Sequence, residues 1–256
     1  MRIALLGADI SHSLSPTLFK LAARQSGLSG EYQLYPTPGP LLPVIQQLVQ
    51  QGYQGLQFTA PFKTVVPPLL SLEDVTVRDT GACNTLRITA AGLQGTNTDI
   101  AGIRFQLEEF WELPPLERIL LLGAGGAARA AAVALEQLYP AIDLCQYNRS
   151  KPRLLNFDAW SGNRFTPCRP GKERPFELII NATPLPQSGW PDQFHLTPGG
   201  RWFDLSYRRD DPPPTDSYCN GLPMLAGQAT AAYRFLFNQR IDTGQLLAAL
   251  LIHLHQ

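Results

Sequence analysis

The chain has 256 residues, 44% of them hydrophobic and 16% charged, which suits one or two domains and is ample to bury a core. Lys plus Arg total 21 and Asp plus Glu total 21, so a net charge of zero gives no electrostatic hold on nucleic acid or an acidic membrane surface. Cys83, Cys145, Cys168 and Cys219 form no C-x-x-C pair and have no histidines at metal spacing, so no metal is expected and the thiols read as reduced, in a cytoplasmic protein.

The opening Met1–Ala8 run is too short for the apolar core of a signal peptide, and Asp9 follows at once, so Arg2–Gly7 is predicted as a strand. No stretch approaches the roughly 18 apolar residues needed to cross a bilayer. Ser15-Pro16 is predicted to open a helix, with Ser as the cap and Pro in the first turn, and Leu18, Ala22 and Ala23 on its apolar face. Glu31–Tyr35 reads as a second strand. Leu41–Gln51 reads as a helix with Leu42, Ile45, Leu48 and Val49 on one stripe. Gly55–Thr59 is a third strand, and Thr85–Ile88 with Gly92–Gly95 suggests a hairpin. Alternating strands and helices imply an open, mostly parallel sheet.

Within this first part, several polar groups stand where packing does not require them. Ser13 and Ser15 follow the first strand, at the carboxyl edge where open α/β sheets bind ligands. Thr59 and Lys63 follow the third strand in the same way. The neighbours of Lys63 in sequence are apolar or hydroxyl-bearing, which permits burial of an amine that could exchange a proton with a substrate hydroxyl. Asp99 is either a first-turn acid at a helix start or a carboxylate pointing into a site, and Asn84 either a turn residue or a bidentate partner of a polyol.

A helix over about 100–111 leads to Pro114-Pro115, a natural boundary. Ile119–Leu122 is a buried strand that meets Gly123-Ala124-Gly125-Gly126-Ala127-Ala128 and then an Ala-rich helix running through Leu135. This is the strand, glycine turn and helix of a Rossmann-like dinucleotide unit. Gly123 permits the tight turn, Gly125 lets the backbone approach a pyrophosphate, and the helix start offers N–H groups to the phosphates. A second strand over 141–147 ends at Asn148-Arg149-Ser150, with Arg153 just beyond. Neutral Asn148 stands where a site for NAD usually places an acid, and the cations after it suit a 2′-phosphate, so NADP is expected. Leu178–Asn181 and Trp202–Leu205 read as further strands. Leu225, Ala229, Ala232 and Leu236 recur at helical spacing, and Leu246–Leu254 forms a last helix expected to pack on the first domain. The expected division is 1–100 with a returning helix at about 238–256 for substrate, and 101–237 for the dinucleotide.

Seven segments in this order resemble the shikimate dehydrogenase family: His12–Pro16, Gln57–Lys63, Gly81–Thr85, Asn97–Asp99, Gly123–Ala127, Asn148–Ser150 and Gly221–Gln228. The resemblance covers nearly the whole chain. It implies reversible NADPH-linked reduction of 3-dehydroshikimate to shikimate on the route to chorismate and the aromatic amino acids. By position, it implies Lys63 as proton donor or acceptor with Asp99 as its partner, and Ser13 and Ser15 at the substrate carboxylate. Thr59, Asn84, Tyr207 and Gln228 are implied at the remaining polar groups. Gly123, Ala124, Gly125, Gly126 and Ala127 are implied at the pyrophosphate, with Asn148, Arg149, Ser150 and Arg153 at the 2′-phosphate. Leu205 and Gly221 are implied at the nicotinamide half. The chain departs from the family pattern at Gln57, where Asn is usual, and in the loops Pro184–Gln187 and Arg208–Pro214. Two alternatives stay open: a quinate/shikimate dehydrogenase paralogue with shifted substrate or cofactor, and a binding protein that lost turnover. The expected assembly is a monomer or a homodimer.

Overall fold

A computed structural model describes residues 1–148, 164–168, 173–183, 194–208 and 217–255. They fall into two compact units, Met1–Gly102 with Leu225–Gln256, and Ile103–Met224. Among the described residues no helix is long and apolar enough to cross a membrane.

The first unit is built on a six-stranded sheet: β1 (Arg2–Gly7), β2 (Glu31–Pro36), β3 (Gly55–Phe58), β4 (Leu72–Glu73), β5 (Thr85–Thr89) and β6 (Gly92–Thr96), in the order β2-β1-β3-β5-β6-β4. β1 runs parallel to β2 and β3, whereas β5 is antiparallel to both β3 and β6. The carboxyl ends of β1, β3 and β6 and the start of β5 therefore share one edge. One face of the sheet buries Leu6, Leu56, Phe58 and Leu86 against Ile45 and Leu48 of helix α2 (Leu41–Gln50) and Val77 of helix α3 (Val75–Thr80). Phe19 of helix α1 (Ser15–Ser26) lies beside the rings of Tyr32, Tyr233 and Phe237.

Helix α3 has no counterpart in the sequence expectations, because its β-branched Val75-Thr76-Val77 start lacks a helical apolar stripe. Its ends explain it: Asp74 accepts the Val77 N–H at 3.1 Å, and Gly81 closes the helix in the left-handed region. The helix expected over about 100–111 is α-helical only from Asp99 to Arg104 (α4) and widens to a π-helical turn over Phe105–Phe110, in which adjacent Gln106 and Leu107 are both buried. Ser15 does not cap α1. It sits inside the helix, and Ser13 Oγ accepts its N–H at 3.2 Å.

The second unit holds β7 (Arg118–Leu122), helix α5 (Gly126–Leu138), β8 (Asp143–Tyr147), β9 (Arg164–Pro167), β10 (Phe176–Asn181), β11 (Leu196–Asp204) and β12 (Tyr218–Cys219). All five pairings are parallel, in the order β12-β11-β10-β7-β8-β9. Numbered within the unit this is 3-2-1-4-5-6, the doubly wound order in which ligands lie beyond the carboxyl ends where the order reverses, here between β7 and β10. Ile119, Leu120, Leu121 and Leu122 are all fully buried, as a strand covered on both faces requires.

Helix α6 (Leu222–Phe237) belongs from Leu225 with the first unit, earlier than the return at about 238 expected from sequence. Its residues account for this: Arg87 donates to the Phe235 carbonyl at 3.1 Å, and Leu236 fills the space that a side chain at Gly55 would need. Helix α7 (Thr243–Leu254) starts three residues before its predicted apolar run, capped by Asp242 on the Gln245 N–H.

Candidate active site

In the first unit, the shared strand edge gathers residues far apart in the chain. Lys63 sits on a 3₁₀ turn after β3, and its carbonyl accepts the Cys83 N–H at 2.7 Å, which ties this turn to the start of β5. Lys63 Nζ lies 2.5 Å from Asp99 Oδ2. The lysine side chain keeps 17% of its surface exposed and the aspartate 4%, so the pair is sheltered with the amine on the accessible side. The other oxygen of Asp99 accepts Asn84 Nδ2 at 2.7 Å. Asn84 Oδ1 in turn accepts the Thr98 N–H at 2.9 Å, with the Thr98 and Thr85 hydroxyls each at 3.1 Å. Behind them, Asn97 donates its N–H to Thr76 Oγ1 at 2.7 Å and its Nδ2 to Thr80 Oγ1. A carboxylate held on both oxygens cannot rotate freely, so the amine is aimed by a hydrogen-bonded frame.

Asn84 is thus committed on its oxygen to the protein, and Asp99 is both a first-turn residue and a partner of Lys63. Gln228 is buried, donates to the Leu225 carbonyl at 3.1 Å and lies 3.4 Å from Thr98 Oγ1. Ser13 and Ser15 hydroxyls are 3.1 Å apart. Thr59 packs its methyl where a side chain at Gly7 would stand, which explains the glycine that ends β1. A pocket of about 360 Å³, counted with its open mouth, brings Ser15, Gln57 and Gln228 together beside Phe19, Tyr32 and Leu236. Here the departure at Gln57 acquires a partner: its Oε1 accepts the Tyr32 hydroxyl, and its Nε2 lies 3.4 Å from Thr85 Oγ1.

Within the second unit, the glycine turn follows β7 at the reversal point. Gly123 has φ +113, a conformation that L side chains rarely adopt, and a Cβ there would meet Thr183 Cγ2 at 2.8 Å. Gln146 Nε2 donates to its carbonyl at 2.7 Å. Gly125 precedes α5 in extended conformation and accepts the Arg129 N–H, and a Cβ on Gly125 would meet nothing within 4 Å. Ala128 is fully buried, as close helix-to-strand packing requires. An open cradle at the N-terminus of a 13-residue helix fits a pyrophosphate, since the first N–H groups have no partner inside the helix. Ala124, Gly126 and Ala127 complete this turn. Asn148 follows β8 directly, whereas Arg149, Ser150 and Arg153, and the Pro184–Gln187 loop, lie outside the described residues.

Leu205 and Gly221 are brought together, since a Cβ on Gly221 would stand 2.3 Å from the Leu205 carbonyl. Tyr207 is half-buried two residues beyond Leu205. Sequence reasoning missed Asn181 and Asp204, both fully buried at the ends of β10 and β11. Asn181 donates to Asp204 at 3.1 Å and accepts from Thr183, while Asp204 accepts the Ser206 N–H at 2.9 Å, so the pair shapes both turns at this edge. Polar residues closing two apolar runs, LIIN and WFD, were the available signal.

A doubly wound parallel sheet with an open glycine turn in one unit, and a lysine–carboxylate pair in the other, define a two-unit dinucleotide-linked oxidoreductase. Residues 5–86 match the family described as shikimate dehydrogenase substrate binding domain. The chain is 32% identical over 251 residues to the NADP(+) shikimate dehydrogenase of Thermus thermophilus, covering 91% of both chains, and 31% identical to that of a Synechocystis species over 99% of this chain and 96% of the relative. The crystal structure of a Thermus thermophilus shikimate dehydrogenase in complex with NADP(H) and shikimate superimposes with a TM-score of 0.77 at 30% identity, over 97% of this chain and 98% of that one. The chain belongs to the shikimate dehydrogenase family.

Proposed function

We propose that this protein interconverts 3-dehydroshikimate and shikimate with NADP(H), with Lys63 as the general acid and base. The observation that carries the reading is the 2.5 Å contact between Lys63 and Asp99, with Asn84 holding the second carboxylate oxygen. NADPH, when bound, supplies the hydride that reduces a carbonyl. In that direction Lys63 gives a proton to the carbonyl oxygen as negative charge grows there, which leaves a hydroxyl and a neutral amine; in reverse the amine takes the hydroxyl proton. Asp99 keeps the amine at the reacting oxygen. Ser13 and Ser15 donate to the ring carboxylate, and Thr59, Gln228 and Tyr207 take the remaining polar groups. Gly123 to Ala127 hold the pyrophosphate and Leu205 and Gly221 the nicotinamide half. The 2′-phosphate falls to Asn148, Arg149, Ser150 and Arg153.

Identity of 30% or more with NADP(+) shikimate dehydrogenases over most of both chains supports this substrate and cofactor. The test is the initial rate of NADP⁺ reduction with shikimate, run beside quinate and NAD⁺. Turnover with shikimate and NADP⁺ is expected. Faster turnover with quinate or NAD⁺ would move the assignment to a paralogue, and a folded protein inactive with every pair would sink the enzymatic reading.

A further inference from the structure

The geometry points to a second, unassigned site: Cys145, Cys168 and Glu173 form a binding site for one thiophilic divalent cation of the zinc class. Their ligand atoms all lie within 4.8 Å of one another. The three come from β8, the residue after β9 and the approach to β10, and the ladder places them. Cys145 pairs with Thr166, and the Cys168 N–H donates to the Gln146 carbonyl at 2.8 Å, so the two cysteines stand two residues apart on the same face of neighbouring parallel strands. Both are buried beside Leu120, Phe176 and Ile179.

This spacing disfavours a disulfide. Strands about 4.8 Å apart with a rise of about 3.3 Å per residue put a two-residue diagonal at about 8 Å between Cα atoms, beyond the roughly 7 Å that a disulfide tolerates. An intervening ion bridges the longer span, because zinc–sulfur bonds of about 2.3 Å hold tetrahedral sulfurs about 3.8 Å apart. The donors already converge on a cation. Arg118 Nη2 lies 3.2 Å from Cys145 Sγ and 2.5 Å from Glu173 Oε2, while Nη1 of the same side chain is paired with Asp143. As an ion enters, each thiol gives its proton to solvent and forms a sulfur–metal bond, and Arg118 surrenders its hold on Cys145 and Glu173 but keeps Asp143.

The test uses the full chain, reduced and stripped with a chelator, and titrated with Cd²⁺ while thiolate-to-cadmium absorption is recorded. Zn²⁺ affinity is then read by competition with a chromophoric chelator. One ion per chain with two sulfur ligands is expected. Cys145→Ser, Cys168→Ser and Glu173→Gln should each weaken Zn²⁺ binding by more than the roughly 10–100-fold that loss of an outer partner costs. Cys219→Ser should leave it unchanged. Absence of the cadmium–sulfur band at one equivalent in the unmodified chain overturns the assignment whatever the variants do. So does binding that survives in both Cys145→Ser and Cys168→Ser.

Discussion

The two units prepare their candidate sites in opposite ways. Around Asp99 the first unit is closed: both carboxylate oxygens, the oxygen of Asn84 and the backbone of Thr98 are already joined to one another. Around Gly125 the second unit is open, with no atom within reach of an added Cβ and a helix N-terminus behind it. Acid–base chemistry needs a side chain held in one geometry, and a hydrogen-bonded frame supplies that. Phosphate recognition needs backbone N–H groups without obstruction, and the absence of side chains supplies that. Mutations should therefore act on the first unit through loss of a partner and on the second through gain of an atom.

The largest effect follows from removing the amine. Lys63→Ala should lower kcat by about 10²–10⁴-fold while shikimate still binds, because the proton donor is lost and the hydrogen-bonding residues remain. Rates and equilibrium binding measured on the same preparation decide it; loss of binding in step with kcat would make Lys63 a substrate-holding residue. The aspartate left behind is nearly fully buried, and removing one partner of such a pair typically costs about 3–5 kcal/mol, so thermal unfolding should be followed alongside.

The glycine pair separates ligand effects from folding effects. Gly125→Ala places a methyl in open space, so stability should change by less than about 1 kcal/mol, the range of Gly-to-Ala backbone effects. The KM for NADP⁺ should nevertheless rise, and the KM for shikimate should not. Gly123→Ala meets Thr183 at 2.8 Å and forces a non-glycine residue to φ +113, which should destabilise by about 1–3 kcal/mol even without cofactor. If Gly125→Ala left the NADP⁺ KM unchanged, the dinucleotide would not lie against this turn.

Asn84→Ala comes next. It deletes the second support of Asp99 and strands the Thr98 N–H, at a cost of about 1–3 kcal/mol. In a chain of this size each kcal/mol corresponds to roughly 2–4 °C in Tm. Because Asn84 acts through Asp99, kcat should fall more than KM rises; a change confined to KM would instead make Asn84 a direct substrate ligand.

Much of this architecture could be read from residues alone, and the failures have physical causes. The turn at Gly123 was legible because its requirements are local: a φ that only glycine adopts readily and a helix that starts within three residues. The pairing of Lys63 with Asp99 was not, since 36 positions separate them and only the order β1, β3, β5, β6 brings their turns to one edge. Sequence physics left Asp99 between two roles, and the resemblance supplied the partner. Cys145 and Cys168 were set aside on spacing, yet parallel β8 and β9 carry both to one face. Helix α3 was invisible to an apolar stripe because its two ends, Asp74 and Gly81, carry the signal.

A last contrast sets two thiols against each other, one in each unit. Burial pushes the Cys83 thiol from 9.0 up to about 12, and its hydrogen bond to the Thr85 carbonyl keeps the proton directed inward. The half-buried Cys219 is also raised by burial, without the same seclusion. Cys83 is neutral in the folded chain wherever its unfolded counterpart is neutral, so it adds no pH dependence below about pH 9. Above 9.0 the unfolded thiol ionises while the folded one keeps its proton, and the favourable term fades until the folded group ionises near 12. Its slope is at most about 1.4 kcal/mol per pH unit. Cys83→Ala should flatten the loss of stability between about pH 9 and 12 relative to the unmodified chain and leave the rest of the curve parallel. With the protein folded at about pH 8, a thiol reagent should modify Cys219 before Cys83. The reverse order would show that the start of β5 opens more readily than the closed network around Asp99 allows.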